Sequence, residues 1–215
     1  LNIRTAQRSL REKPPGQIND KTVEGLVDYR DEEGAFGPIL CDSDRVARNI
    51  LEFRLADGAR LIARPSGTEP KHKIYAEVSA PPIGSEGSLA DLHSCKVETD
   101  ATARALALGL CIEWLDRIGS SMPRWALEIS DLVPLEWKQD FSQKVMPKLV
   151  SELTAGKSAG EVEEWVDQRL GKYGADGRLL VRDAVSAYCR QAPPDPSVRK
   201  ELVRLFAIES GDPAE

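Results

Sequence analysis

The chain has 215 residues, 41% of them hydrophobic and 30% charged, with 29 Lys and Arg against 35 Asp and Glu for a formal net charge of -6. That length buries a core and suits one ordinary domain with an addition, or two small ones. The acidic balance excludes general nucleic-acid binding, which needs a broad basic field, and no apolar run is long enough to span a bilayer.

Cys41, Cys95, Cys111 and Cys189 are scattered without a Cys-x-x-Cys pair. They read as free thiols of a reducing cytosol. His72 and His93 cannot complete a three-histidine metal site. There is no signal-peptide layout at the start. The first residue is Leu rather than Met, and the opening reads as a helix in progress. The expectation is a piece of a longer chain, or one processed to that start.

Asn2 to Glu12 favour a helix, which Pro14-Pro15-Gly16 stops. Thr22 to Arg30 alternate as a strand, with Val23, Gly25, Val27 and Tyr29 on one side. A loop follows from Asp31 through Gly37-Pro38, and its acidic run Asp31-Glu32-Glu33 reads as solvated. Asp42 or Ser43 caps a short helical turn. Asn49–Leu55 and Ala59–Arg64 form a hairpin around Asp57-Gly58, with Leu51, Phe53, Leu55, Leu61 and Ala63 inward. His72–Val78 add a fourth strand, with Ile74, Ala76 and Val78 inward. Ala80 to Ser88 leave the sheet. From Val97 the period turns helical, and Val97, Ala101, Leu108, Cys111, Ile112, Leu115 and Ile118 mark an apolar stripe long enough to cover one sheet face.

After Ser121 no strand pattern returns. Residues 1–121 thus read as an α+β unit with a four-stranded sheet covered by helices, and residues 122–215 as an all-α helical extension. In the extension Phe141, Val145, Leu149 and Leu153 recur every four residues, with a kink or break expected at Pro147. Ser158-Ala159-Gly160-Glu161 has the form of a capping box ahead of Val162, Val166 and Leu170. Leu180, Val181, Ala184, Val185 and Tyr188 follow, and Asp195-Pro196 opens a last helix carrying Val198, Leu202, Leu205 and Phe206. Trp114, Trp125, Trp137 and Trp165 could form a sugar or partner platform, but helical spacing favours core or docking positions.

One stretch concentrates chemistry: Arg64-Pro65-Ser66-Gly67-Thr68-Glu69-Pro70-Lys71-His72-Lys73. Arg64 carries a planar fork matched to phosphate oxygens, and Ser66 and Thr68 carry short hydroxyl donors. Gly67 lets backbone N–H groups approach an anion. By chemistry alone two readings stand, a phosphate-gripping loop or a plain turn between strands with Arg64 solvated.

The run Arg-Pro-Ser-Gly-Thr-Glu-Pro-Lys, followed by Lys-Ile-Tyr-Ala-Glu and preceded by the hairpin Leu51 to Arg60, closely resembles the signature of the last domain of the α-D-phosphohexomutases, the phosphoglucomutase/phosphomannomutase family. The resemblance is specific over about Ile50 to Val78 and covers the layout of residues 1–121. It implies a TATA-box-binding-protein-like, mainly antiparallel sheet. It also implies an isomerase of four domains around a cleft. A phosphoserine in the first domain donates and reaccepts phosphate, a magnesium loop in the second activates it, the third reads the sugar, and the fourth holds the substrate phosphate.

Carried over, Arg64, Ser66, Gly67 and Thr68 match the phosphate loop directly. Lys73 sits where relatives carry a basic residue, Lys71 adds charge, and Glu69 and Pro70 shape the turn. The Lys-x-Lys-Ile-Tyr-Ala-Glu ending looks more like phosphoglucomutases or phosphopentomutases than phosphoglucosamine mutases. Neither the phosphoserine loop nor the magnesium loop is found here. Asp42-Ser43-Asp44-Arg45 echoes the latter but lacks its third acid and reads as a helix cap.

The expectation is therefore a C-terminal, phosphate-binding portion of a cytoplasmic mutase, inactive alone, with no catalytic or metal residue and no cofactor of its own. Its partners would be a sugar phosphate and the upstream mutase domains, which would supply magnesium and the phosphoserine. The helical extension could mediate homo-oligomer formation. The rival reading is an anion-binding and interaction module without a mutase role.

Overall fold

The computed structural model describes residues 3–66, 71–84 and 87–208. The chain divides into two compact units, Leu1–Ser121 and Met122–Glu215.

The first unit opens with helix α1 (Ile3–Glu12), which buries Ala6, Gln7 and Leu10. Strands β1 (Gln17–Ile18) and β2 (Lys21–Asp28) follow, then the short helix α2 (Asp42–Ala47). Strands β3 (Leu51–Leu55), β4 (Arg60–Pro65) and β5 (His72–Glu77) complete a sheet in the order β1-β2-β3-β4-β5, antiparallel throughout. Helix α3 (Leu89–Arg117) packs with α1 and with β1, β4 and β5.

The sheet has five strands, not the four expected. The extra strand is two residues long, too short to display alternation, and it lies just past the Pro-Pro-Gly stop. Asn19 makes its turn with a left-handed backbone, φ 54. The Asn19 amide also donates to the Ala105 carbonyl on α3 at 2.7 Å, so the turn is pinned to the covering helix.

The alternation read along β2 is also corrected. Val23 pairs with Leu55 but Gly25 pairs with Arg54, leaving Glu24 as a bulge. A one-residue bulge reverses the faces beyond it. Leu26 and Asp28 therefore lie opposite Phe53 and Leu51 on the core face, and Val27 lies opposite Glu52 on the other.

The stripe on α3 is shifted as well. Its buried residues are Leu106, Gly109, Leu110, Trp114 and Leu115, whereas Leu108, Cys111 and Ile112 are half-buried and Val97 is exposed. Small Gly109 is the reason for the register: a Cβ there would stand 2.5 Å from the Asn19 side-chain oxygen. The helix starts earlier than its apolar period, because Ser88 and Asp91 form a reciprocal capping box (Asp91 N–H to Ser88 Oγ 3.1 Å, Ser88 N–H to Asp91 Oδ2 2.8 Å).

The core of this unit is Leu51, Phe53, Leu55, Leu61 and Ala63 from the sheet against Leu10, Leu106, Leu110 and Trp114 from the helices. Arg48 organises the long β2–α2 connection. Its guanidinium donates to the carbonyls of Tyr29 (2.6 Å), Gly37 (2.8 Å) and Pro38 (3.1 Å).

Among the described residues the regular elements of the second unit are all helices or helical turns. A 3₁₀ turn (Arg124–Glu128) leads to helix α4 (Leu135–Asp140), a π-helical stretch (Phe141–Val145), α5 (Met146–Thr154), α6 (Ala159–Leu170), a 3₁₀ turn (Gly171–Tyr173), α7 (Gly177–Gln191) and α8 (Pro196–Leu205). The break expected at Pro147 is absorbed by the π stretch. Pro147 then falls in the first turn of α5, where a missing N–H costs little. The expected box at Ser158 is not reciprocal: its hydroxyl donates to Glu161 Oε2 at 2.6 Å and caps no backbone N–H. Phe141, Val145, Leu149, Val162, Val166, Leu170, Val181, Val185, Leu202 and Phe206 are buried. Trp125 is buried edge-on to Phe141 and Tyr188, while Trp137 and Trp165 are half-buried.

Replacing Asn19 by Ala should destabilise the first unit by about 1–2 kcal/mol, because it strains the left-handed turn and removes the Ala105 hydrogen bond. Asn19→Gly should recover the backbone part. Urea unfolding reads both, and equal stability of Asn19→Ala and the parent would contradict the pinning of β1 to α3.

Candidate functional site

The chemistry-bearing loop joins β4 to β5, and both strand ends are held from beneath by one side chain. Gln7, 1% exposed, projects from α1 toward the end of β4. Its amide nitrogen donates to the Ala63 carbonyl at 3.2 Å and to the Asn49 carbonyl at 3.5 Å. Those two acceptors set its orientation, so its oxygen faces His72 Nε2 at 2.8 Å. His72 must then carry its proton on Nε2 and donate.

The other ring nitrogen, Nδ1, is buried and has no hydrogen-bond partner among the described residues, and the same holds for Trp114 Nε1. The His72 and Trp114 rings are 5.0 Å apart. Burial pushes the His72 pKa down to about 4, because a second N–H would enter a space without an acceptor.

Above this brace the register pairs Arg64 directly with Lys73, and Pro65 with His72. Directly opposite residues share a face, so the two cations stand side by side on the face opposite Leu61 and Ala63. Both are half-buried, and neither side chain makes a hydrogen bond or ion pair with another described residue. Like charges so placed repel by roughly 0.2–1 kcal/mol unless an anion joins them. Ser66 N–H donates to the Lys71 carbonyl at 2.8 Å and closes the base of the loop. Ser66 is half-buried and Lys71 exposed. Gly67 and Thr68, with Glu69 and Pro70, lie outside the described residues.

Arg64, Pro65 and Ser66 open into a cleft of about 1190 Å³, which α1 and α2 also line. It sits where β2 and β4 end and β3 begins. Arg11 of α1 grips Asp28 at the end of β2 through two hydrogen bonds, 2.5 and 3.1 Å, and donates to Asn49 at 3.1 Å.

Of the two acids that echo a magnesium loop, Asp42 lines the cleft and Asp44 is used locally, and the expected side-chain cap is not made: the N-cap of α2 is Cys41. Asp44 accepts the Leu40 N–H at 3.1 Å and pairs with Arg48 at 3.5 Å. Among the described residues no group of three or more His, Cys, Asp or Glu side chains is placed to hold a metal ion. Among the described residues no helix is long and apolar enough to cross a membrane.

Sequence reasoning missed the Gln7–His72 brace and the Arg11–Asp28 pair. Both join residues far apart in the chain, and periodicity carries no signal for such contacts.

Residues 17–82 match the family model described as phosphoglucomutase/phosphomannomutase, C-terminal domain. A probable phosphomannomutase of Haemophilus influenzae is 41% identical over 69 residues, which cover 32% of this chain and 12% of the relative. The chain thus spans about an eighth of that relative's length. No solved structure is significantly similar to the chain.

The depressed His72 pKa sets a pH dependence. The unfolded chain protonates this ring near 6.5 and the fold only near 4, so its contribution is complete above pH 6.5 and is lost as pH falls toward 4. The loss should total roughly 3 kcal/mol. Titration of the His72 ring by NMR should give a midpoint well below 6, and the unfolding free energy of His72→Gln should lack this part of the acid slope. A midpoint at or above 6 would overturn the buried, single-donor assignment.

Proposed function

We propose, from the premise that residues 17–82 belong to the phosphoglucomutase/phosphomannomutase C-terminal domain family, that the first unit holds the non-reacting phosphate of a sugar phosphate. The observation that carries this reading is the Arg64–Lys73 pair, two unpartnered cations among the described residues, set side by side at the mouth of the Arg-Pro-Ser-Gly-Thr loop. A phosphate bridging them removes their repulsion and accepts the guanidinium fork in two hydrogen bonds. Ser66, Gly67 and Thr68 complete the grip, and Lys71 adds charge at its far end. The TATA-box-binding-protein-like description of the sheet belongs to this same reading.

The whole enzyme would move phosphate between C1 and C6 of a hexose, or C1 and C5 of a pentose. This unit contributes position. Fixing one end of the sugar presents the other to the nucleophile, and a held geometry lowers the barrier by removing lost orientational freedom. Closure of the unit over the substrate would exclude water. Magnesium and the phosphoserine belong to domains outside this chain in this scheme, and the acids of α2 do not fit a magnesium site. The four cysteines are free thiols, which suits a reducing cytoplasm. The second unit is assigned to docking on upstream domains or to self-association.

Titration of the 215-residue chain with glucose 1-phosphate should show binding that Arg64→Ala weakens about tenfold to a hundredfold, the loss of one charge-assisted fork. Equal affinity of the two proteins, with the fold intact, would remove the loop from the site. With magnesium and a sugar bisphosphate primer the chain alone should show no mutase turnover, and robust turnover would refute its incompleteness.

A further inference from the structure

The cleft beside the loop carries more positive charge than one phosphate can use. Five arginines line it: Arg4, Arg8 and Arg11 from α1, Arg30 from the end of β2, and Arg64. Among the described residues Asp42 is the one carboxylate that lines it. This concentration stands in a chain whose formal net charge is -6, so it is not an overall basic character.

The arginines differ in how far they are already neutralised. Arg11 is fully engaged with Asp28. Arg8 reaches a carboxylate only at 3.9 Å, Glu12, in a pair whose side chains are 69% and 64% exposed. Such a pair holds little energy and leaves the guanidinium available. The Arg4 guanidinium has no hydrogen bond or ion pair with another described residue. Arg30 donates to the Arg45 carbonyl at 2.8 Å, a neutral acceptor. Burial and the nearby Arg11 and Arg45 guanidinium groups push Arg30 below its ordinary pKa, the mark of crowded cations.

Arg4, Arg8 and Arg11 fall at i, i+4 and i+7, on one side of α1, so the helix presents them together. These three precede the segment that matches the family model, so that match assigns them nothing.

We propose that Arg4 and Arg8 of α1, with Arg30, form a second anion subsite in this cleft, for a phosphoryl group, alongside the one built on Arg64 and Ser66. A phosphoryl group fits better than a carboxylate because it carries up to two charges and offers enough oxygens for guanidinium forks from two separate elements. A cleft of about 1190 Å³ accommodates a phosphorylated sugar and both of its phosphates. The group comes either from the far end of one bisphosphorylated ligand or from a separate phosphate. The first subsite rests on the function proposed above, and the second does not.

The test titrates the 215-residue chain at low ionic strength with inorganic phosphate and, separately, with glucose 1,6-bisphosphate, followed by calorimetry. Two phosphates should bind per chain. Arg64→Ala should weaken one about tenfold to a hundredfold, and the double variant Arg4→Ala/Arg8→Ala should weaken the other on the order of tenfold. Both replaced side chains are exposed, so the fold should hold, and an unchanged melting temperature checks it. The variant Arg4→Lys/Arg8→Lys keeps the charge and should restore most of the binding.

A bridging ligand appears as one bisphosphate per chain, bound at least tenfold more tightly than phosphate and weakened by both sets of variants. A separate phosphate appears as no such gain. A single phosphate per chain, or a second one indifferent to Arg4→Ala/Arg8→Ala, would overturn the subsite. Loss of binding in the α1 variant with no effect of Arg64→Ala would leave the cleft standing and remove the loop reading instead.

Discussion

The first unit depends on one buried carboxamide. Gln7 ties α1 to the end of β4 through the Ala63 carbonyl, to the start of β3 through the Asn49 carbonyl, and to the start of β5 through His72. A buried amide that satisfies three partners from three elements tolerates little displacement, since each lost hydrogen bond would leave a polar group unpaired. The ends of β4 and β5 are thereby fixed in relation to each other. A loop closed on that frame by the Ser66–Lys71 hydrogen bond inherits its geometry. Positional precision at the loop thus originates in a residue of a different element, α1.

The same brace brings α1 to the end of the sheet, and charge follows. Gln7 lies between Arg4 and Arg8, and Arg11 lies one turn further on. Seating Gln7 therefore sets arginines around the cleft. Arg11 is compensated by Asp28, which the β2 bulge turns to the core face. Without the bulge at Glu24, alternation would place Asp28 on the other side and leave Arg11 without its partner. A single inserted residue in a strand thus determines which of the clustered cations is neutral in effect and which stay available. The remaining repulsion is a cost that the fold itself does not offset, and an anionic ligand is the group that can.

Legibility in the sequence followed the range of the interactions. The α+β character, the β3–β4 hairpin around Asp57-Gly58 and most buried positions of the second unit were readable, because period and turn chemistry are local. The segment that matches the family model contains the run that carried the resemblance. What escaped had no local signal. Strand β1 is two residues long and exists because Asn19 anchors to Ala105, 86 residues away. The α3 stripe was misplaced by its long alanine-rich middle, where several rows are nearly equally apolar; Gly109 under Asn19 decides between them. The bulge in β2 hid behind an alternation that looked regular. Gln7 read as an ordinary polar helix residue, and only its distant carbonyl partners reveal its role.

The side chains around the loop also bear on what kind of chemistry this unit can do. Arg64 and Lys73 are cations at neutral pH and donate hydrogen bonds only, so neither serves as a general base there. The histidine at the foot of the loop is His72, and its geometry removes it from proton transfer. One ring nitrogen is occupied by Gln7, and the other is enclosed against Trp114 with no route to a ligand in the cleft. Its depressed pKa keeps it neutral across the physiological range. A histidine beside a cationic loop invites a catalytic role, yet here burial makes it a strut. The loop's surroundings are donors on a stiff frame, which suits holding charge in place and leaves bond-making to groups brought to it.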